Sequence, residues 1–261
     1  MNKLEYKGTG RGKSSRWWLI GLPVWALISY FGAQFLLFPV LWLASALGLD
    51  LAGANQAVVT MALMALTWVI AFGVAIGVPL LLRRCTTKSD LGIARVPRLT
   101  DALIAPLAYI AYLPVTAIVV AVVTALVSDF NPEQAQSVGF EGLMFTYEYV
   151  AAFVTLVVIA PFAEEIMFRG YLYGKLRSIA PAWVVALVVS LVFAMLHVPG
   201  ENFALTQWNV ALDVFILSLV LCFLREKTSA VWAGIGLHMI KNGLAFYLLF
   251  VNPDILSMIG G

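Results

Sequence analysis

The sequence predicts an all-α fold, a polytopic transmembrane helix bundle of about seven spans with a cytoplasmic N-terminus. Three observations carry that prediction. Of the 261 residues, 62% are hydrophobic and 11% charged, whereas soluble domains carry about 25% charged residues. The mean hydropathy is +0.95. The apolar residues fall in seven runs, each near or above the ~20 residues that a helix needs to cross a bilayer.

Residues 1–16 form a polar, basic tail (Lys3, Lys7, Arg11, Lys13, Arg16) whose glycines and serines read as flexible. The first run extends from Trp17 to about Leu47. Ala44-Ser45-Ala46 resembles a signal-peptide cleavage site, but the run is too long for an h-region of about 7–15 residues, so a retained span is expected. Trp17 and Trp18 suit the aromatic belt. The second run, about Ala57 to Leu82, holds Gly73 and Gly77, a small-xxx-small pair of the kind that packs helices closely. A basic connector, Arg83 to Thr100, contains Pro97 and has room for a short interfacial helix. The third run is Asp101 to Val127, followed by a polar loop from Ser128 to Gly142. The fourth, fifth, sixth and seventh runs cover about Leu143–Leu172, Ala182–Val198, Trp208–Leu224 and Ser229–Phe250, with Pro199 and Gly200 ending the fifth.

Lysine and arginine orient the bundle. Fifteen of the sixteen lie in the tail, in the second connector, at the end of span four or after span six. The loops 50–56, 128–142 and 199–207 carry none. An inner N-terminus places all fifteen in the cytoplasm, and the protein is expected to be an integral, multi-pass membrane protein, in the cytoplasmic membrane if prokaryotic. Cys85 and Cys222 have no metal-ligand spacing and are expected to be free thiols. No basic tract points to nucleic acid. Membrane lipids are expected partners, and the oligomeric state is open.

The remaining interest lies in polar groups at bilayer depth, which are expensive there and therefore functional candidates by default. They are Glu164, Glu165, Arg169, His197, Asp213, His238 and Lys241, with Asn242 beside them, and they include both histidines of the chain. Most belong to three short patterns: E-E-x-x-x-R (Glu164, Glu165, Arg169), F-x-x-x-H (Phe193, His197) and H-x-x-x-N (His238, Asn242). Glu165 and Arg169 are four apart and can pair, bracing span four. Glu164 points about 100° away, so the two carboxylates can have different tasks. His238 and Asn242 project together. Pro161, one turn before Glu164, removes a backbone donor and can kink the span. Phe193 reads as a packing residue one turn below His197. Asp213 is either a helix–helix hydrogen bond or part of the site, and Lys241 can pair with Asp213, pair with a site carboxylate or reach water. At ~1.5 Å per residue, Glu164 and His238 lie ~16 and ~15 Å from the inner ends of their spans, and His197 ~24 Å, so His197 comes out deeper than the other two.

The three patterns, in this order on membrane helices, resemble the CAAX-processing and bacteriocin-processing family of intramembrane endopeptidases. The tract from Arg225 to His238 resembles the family's lead-in to its last motif, and the resemblance covers about residues 143–245. It divides the chain into the tail 1–16, N-terminal transmembrane helices 17–142 and a catalytic four-helix core 143–261. It implies an intramembrane protease with Glu164 and His197 activating a water, His238 and Asn242 forming an oxyanion hole, and Glu165, Arg169 and Phe193 supporting them. Substrates would be peptide or lipidated protein tails at the membrane. The chemistry is coherent: a carboxyl buried in a dry cavity becomes a stronger base, and amide hydrolysis needs a base near the working pH and preorganised donors for the intermediate. The resemblance favours a metal-free mechanism with no cofactor. The rival is zinc held by Glu164, His197 and His238, since catalytic zinc takes three such ligands. Two other function classes stay open: an ion- or proton-coupled transporter, whose mark would be paired broken helices, and a non-catalytic scaffold of the same fold, whose mark would be a lost site residue.

Overall fold

Among the described residues, seven helices form where the apolar runs predict them. The computed structural model describes residues 17–132, 138–140, 142–198 and 208–255. In chain order the helices are α1 (Trp18–Ala46), α2 (Gln56–Leu81), α3 (Leu99–Leu126), α4 (Thr146–Arg177), α5 (Ala182–Met195), α6 (Trp208–Thr228) and α7 (Trp232–Val251). No strand occurs among the described residues. The tail 1–16 and the Pro199–Gly200 stop lie outside them. Six of the seven helices are long and apolar enough to cross a membrane. The exception is α5, with 14 helical residues, after which Leu196 to Val198 continue as a turn.

The helices are apolar on most sides because lipid, not water, surrounds them. Phe35, Trp42, Leu81 and Leu126 are each more than 70% exposed, as expected of side chains that face acyl tails. Burial concentrates on α4 and α6. One core cluster joins α1, α2, α4, α5 and α6, a second joins α3, α6 and α7, and a third joins α2, α4 and α7. These clusters place α4 at the centre, with N-terminal and C-terminal helices packed on it.

Helix α4 is not a uniform α-helix. Two stretches of π-helical turns, Val154–Ile159 and Glu165–Leu172, flank a short α-helical stretch, Ala160–Glu164. Such turns are rare and concentrate at functional sites. The N-terminal end of α4 is capped by Glu148, whose carboxylate accepts the backbone N–H groups of Met144 (2.6 Å) and Phe145 (2.9 Å) and also accepts Asn55 Nδ2 from the start of α2.

The connector between α2 and α3 holds no helix, contrary to the short interfacial helix the sequence allowed. Its backbone is held instead by the ends of other helices. Arg225 donates to the Arg169 carbonyl (3.0 Å) and the Ser89 carbonyl (2.9 Å). The Val231 N–H donates to Gly92 O (3.1 Å) and Trp232 Nε1 to Arg95 O (2.7 Å). Gly92, at φ +69°, takes the left-handed conformation this path requires, one that glycine adopts without penalty. On α4 the pair Gly170 and Gly174 lets the connector lie against the helix, since a Cβ on either would overlap the carbonyl of Leu91 or Asp90. Lys175 completes the seam with Asp90 (2.9 Å). Burial opposes the charge on Asp90, but the Thr87 N–H and the Lys175 ammonium outweigh it and hold the carboxyl below its usual range. This seam gathers Asp90, Lys175 and Arg225 at one end of the bundle, its basic end.

Candidate active site

Glu165 and Arg169 form the centre of the site. Arg169 Nη1 donates to Glu165 Oε1 at 2.9 Å, and both side chains are 0% exposed. The Phe193 ring covers the guanidinium, with the Arg169 Cζ 4.2 Å from the ring centroid. That face supplies an electrostatic partner where Arg169 Nε and Nη2 have no hydrogen-bond acceptor among the described residues. Phe193 also packs edge-on against Phe168 and His238, with centroid separations of 5.0 and 6.1 Å. The F of F-x-x-x-H therefore lies between α4 and α7, over the buried ion pair.

His238 stands between the two carboxylates. Its Nδ1 lies 3.1 Å from Glu165 Oε1 and its Nε2 lies 3.8 Å from Glu164 Oε2. A carboxylate paired with a guanidinium accepts hydrogen bonds rather than donating them. His238 therefore donates Nδ1–H to Glu165, and a neutral imidazole so held presents its lone pair at Nε2. Gly234, one turn earlier on α7, makes room for this contact, because a Cβ there would lie 3.0 Å from Glu165 Oε2. Glu164 is 17% exposed and has no lysine or arginine within ion-pairing distance among the described residues. Helix phase thus separates the adjacent carboxylates as expected, one locked to arginine and one left beside a histidine.

Asn242 projects from the same side of α7 but is occupied differently from His238. Its Nδ2 donates to the Leu156 carbonyl at 2.9 Å. The π-helical turn explains why that carbonyl is free. In this stretch the Ala160 N–H bonds Thr155 O, five residues back. The matching partner of Leu156 O would be the N–H of residue 161, which is proline and has none. Asn242 fills the gap that Pro161 opens and joins α7 to α4 there. Asn242→Ala should lower stability by about 1–3 kcal/mol, the cost of leaving a buried acceptor unpartnered, read as a shift in unfolding midpoint in detergent. In a Pro161→Ala background, where residue 161 regains an N–H, the same change should cost less, and a double-mutant cycle measures the difference.

His197 is the site candidate that the structure keeps apart. Its Nδ1 lies 2.8 Å from the Phe193 carbonyl, its ring is 4.8 Å from the Phe193 ring, and no described contact joins it to Glu164. The depth offset in the sequence has this counterpart: Phe193 is the α5 residue at the level of Arg169 and His238, and His197 lies a turn beyond. No group of three or more His, Cys, Asp or Glu among the described residues is arranged to hold a metal. As placed, Glu164, His197 and His238 do not close into a three-ligand set.

Lys241, left open by the sequence, pairs with Asp213 on α6 at 2.8 Å. Asp213 also accepts the Tyr112 hydroxyl from α3. The pair ties α3, α6 and α7 together about one turn beyond His238 on α7. Sequence reasoning missed Glu165 as the partner of His238, and it missed Gly234 and Arg225. The signals were present in the lead-in tract, where a small residue stands four before the histidine and an arginine precedes the helix. Cys85 and Cys222 are both free.

Residues 146–244 match the family model described as type II CAAX prenyl endopeptidase Rce1-like. The chain carries an Rce1-like domain. The domain runs from the start of α4 into α7 and includes every residue of the three patterns. Comparison with curated proteins and with solved structures gives no match. An Rce1-like domain in a bundle with six membrane-crossing helices makes this an integral, multi-pass membrane protein, and the family indicates a protease of the CAAX type.

Proposed function

We propose that the protein hydrolyses peptide bonds of membrane-associated peptides or lipidated protein tails by glutamate-activated water. The observation that carries this reading is the sequence of contacts Arg169–Glu165–His238, which ends beside an unpaired carboxylate, Glu164, inside the Rce1-like domain. A base flanked by a side chain that a third group orients is the recurring arrangement for activating a nucleophile.

In this mechanism one proton of a water goes to Glu164 as the water oxygen attacks the scissile carbonyl carbon. The other hydrogen of that water is held by His238 Nε2. The carbonyl electron pair moves onto oxygen, and the second Nδ2–H of Asn242 donates to it. The proton on Glu164 then passes to the amide nitrogen, the C–N bond breaks, and the carboxylate is regenerated. With Nδ1–H on Glu165, His238 suits holding water. The oxyanion role implied by the family requires a second proton on its ring. His197 joins in holding the water if its ring turns away from the Phe193 carbonyl. The basic end of the bundle lies in the cytoplasm in this reading, by the distribution of lysine and arginine.

The test uses the full chain in proteoliposomes with two peptides of one sequence, prenylated and unprenylated, and a leader peptide. Products are read by mass spectrometry with and without a strong chelator. Internal cleavage of a membrane-bound peptide, unaffected by chelator, is expected. Absence of cleavage of all three substrates would overturn the reading, and loss with chelator restored by zinc would replace it with a metal mechanism.

A further inference from the structure

A cavity lies away from the carboxylates, at the basic end, where α1 meets the end of α2 and the end of α4. It measures about 650 Å³. Leu22, Val78, Leu82 and Ile179 give it apolar walls. Arg84, Lys175 and Thr86 also line it, and no carboxylate among the described residues does. The Arg84 guanidinium lies over the Trp18 ring, 5.0 Å from its centroid. Thr86 Oγ1 is buried and has no hydrogen-bond partner among the described residues. Lys175 Nζ is held at the rim by Asp90 and the Cys85 carbonyl. The sequence adds five lysines and arginines in the sixteen residues before Trp17.

Apolar walls beside cationic groups, at the end of the helix bundle, match a ligand with two parts, an acyl chain and an anionic oxygen group. Basic pockets between membrane helices and basic clusters beside a first span both select acidic lipid headgroups. We propose that this cavity is a binding site for an anionic glycerophospholipid of the same leaflet. Its phosphate is held by Arg84 and the Thr86 hydroxyl, near Lys175, and one acyl chain lies against Leu22, Val78 and Ile179. An inorganic phosphate would use only the rim, and a neutral lipid only the walls. Tyr171 and Lys175 of α4 line the cavity, so a seated lipid props the helix that carries Glu164 and Glu165. The inference does not depend on the protease chemistry.

The experiment is native mass spectrometry of the full chain in a neutral detergent, titrated with phosphatidylglycerol or phosphatidylcholine of matched acyl chains. Phosphatidylglycerol should bind at least ten-fold more tightly. Arg84→Ala should weaken it about five-fold, the size expected for one basic residue at an anionic surface, and Arg84→Ala with Thr86→Val should weaken it further. Gly21→Leu, which fills the apolar side and keeps the rim charges, should also weaken it. Lys88→Ala, a basic residue outside the cavity, is the control and should leave it unchanged. Helix content and melting are recorded for each variant. Equal binding of phosphatidylcholine would overturn the proposal, as would displacement by millimolar inorganic phosphate. An equal loss in Lys88→Ala would assign the binding to diffuse surface charge and overturn it. Full binding by Gly21→Leu would show that no chain is seated and overturn it too.

Discussion

Glu164→Gln should lower the cleavage rate by on the order of 10²–10⁴, the range for losing a positioned general base, with helix content and unfolding midpoint unchanged. The reason lies in how the adjacent carboxylates divide. Glu165 is enclosed, bound to Arg169 and accepting from His238. Glu164 is partly exposed, lies 3.8 Å from His238 Nε2 and has no lysine or arginine within ion-pairing distance among the described residues. Glutamine keeps its shape and removes the basic oxygen, so the chemistry should fail while packing survives. Single-turnover cleavage in proteoliposomes, beside thermal unfolding in detergent, separates the two. A Glu164→Gln protein that still cleaves at the wild-type rate would remove the proposed mechanism, whichever substrate was used.

Arg169→Met should destabilise the protein by about 3–5 kcal/mol, the range for removing one partner of a buried ion pair. Both Glu165 and Arg169 are wholly buried, and Glu165 Oε2 already has no hydrogen-bond partner among the described residues. Without the guanidinium, Glu165 is left as a buried charge with a histidine as its remaining partner, and Phe193 loses the cation beneath its ring. Glu165→Gln together with Arg169→Met removes both charges and should recover a substantial part of the loss, because a neutral pair of similar volume avoids the uncompensated charge. Unfolding midpoints of the four proteins in one detergent measure the coupling. Activity should fall in both variants carrying Arg169→Met, since His238 loses the carboxylate geometry that orients it.

The two expectations differ in how far the sequence alone supports them. That Glu165 and Arg169 pair follows from their spacing, which a helix of α or π winding satisfies here. That Glu164 is the free carboxylate follows from the 100° step between neighbours. What spacing could not supply was the third partner. Nothing in H-x-x-x-N says that His238 donates to Glu165, or that Asn242 turns to Leu156, because both contacts cross between helices 70 or more residues apart in sequence. The Asn242 contact depends on a π-helical register that makes Pro161 the missing donor for Leu156, and hydrophobic periodicity does not report that register. From its spacing, the F of F-x-x-x-H reads as a packing residue one turn below His197. Only its position over Arg169 shows that it completes the ion pair's surroundings. The connector between α2 and α3 holds no helix for a related reason. Basic residues and a proline suit an interfacial helix locally, but the helix ends at Arg225, Val231 and Trp232 supply partners for its backbone that local propensity cannot anticipate.

The sequence by itself determined the solvent, the number of helices and the residue types available for chemistry. Apolar length and the cost of charge in lipid are properties of the chain, read without knowing how it packs. The tertiary structure decided which polar groups meet: Glu165 with His238, Lys241 with Asp213, Asn242 with the proline gap, and His197 with Phe193 rather than with Glu164. Those pairings depend on the relative rotation and depth of neighbouring helices. Side-chain packing at their interfaces sets both, because lipid tails are as apolar as the helices and give no hydrophobic preference for one rotation over another.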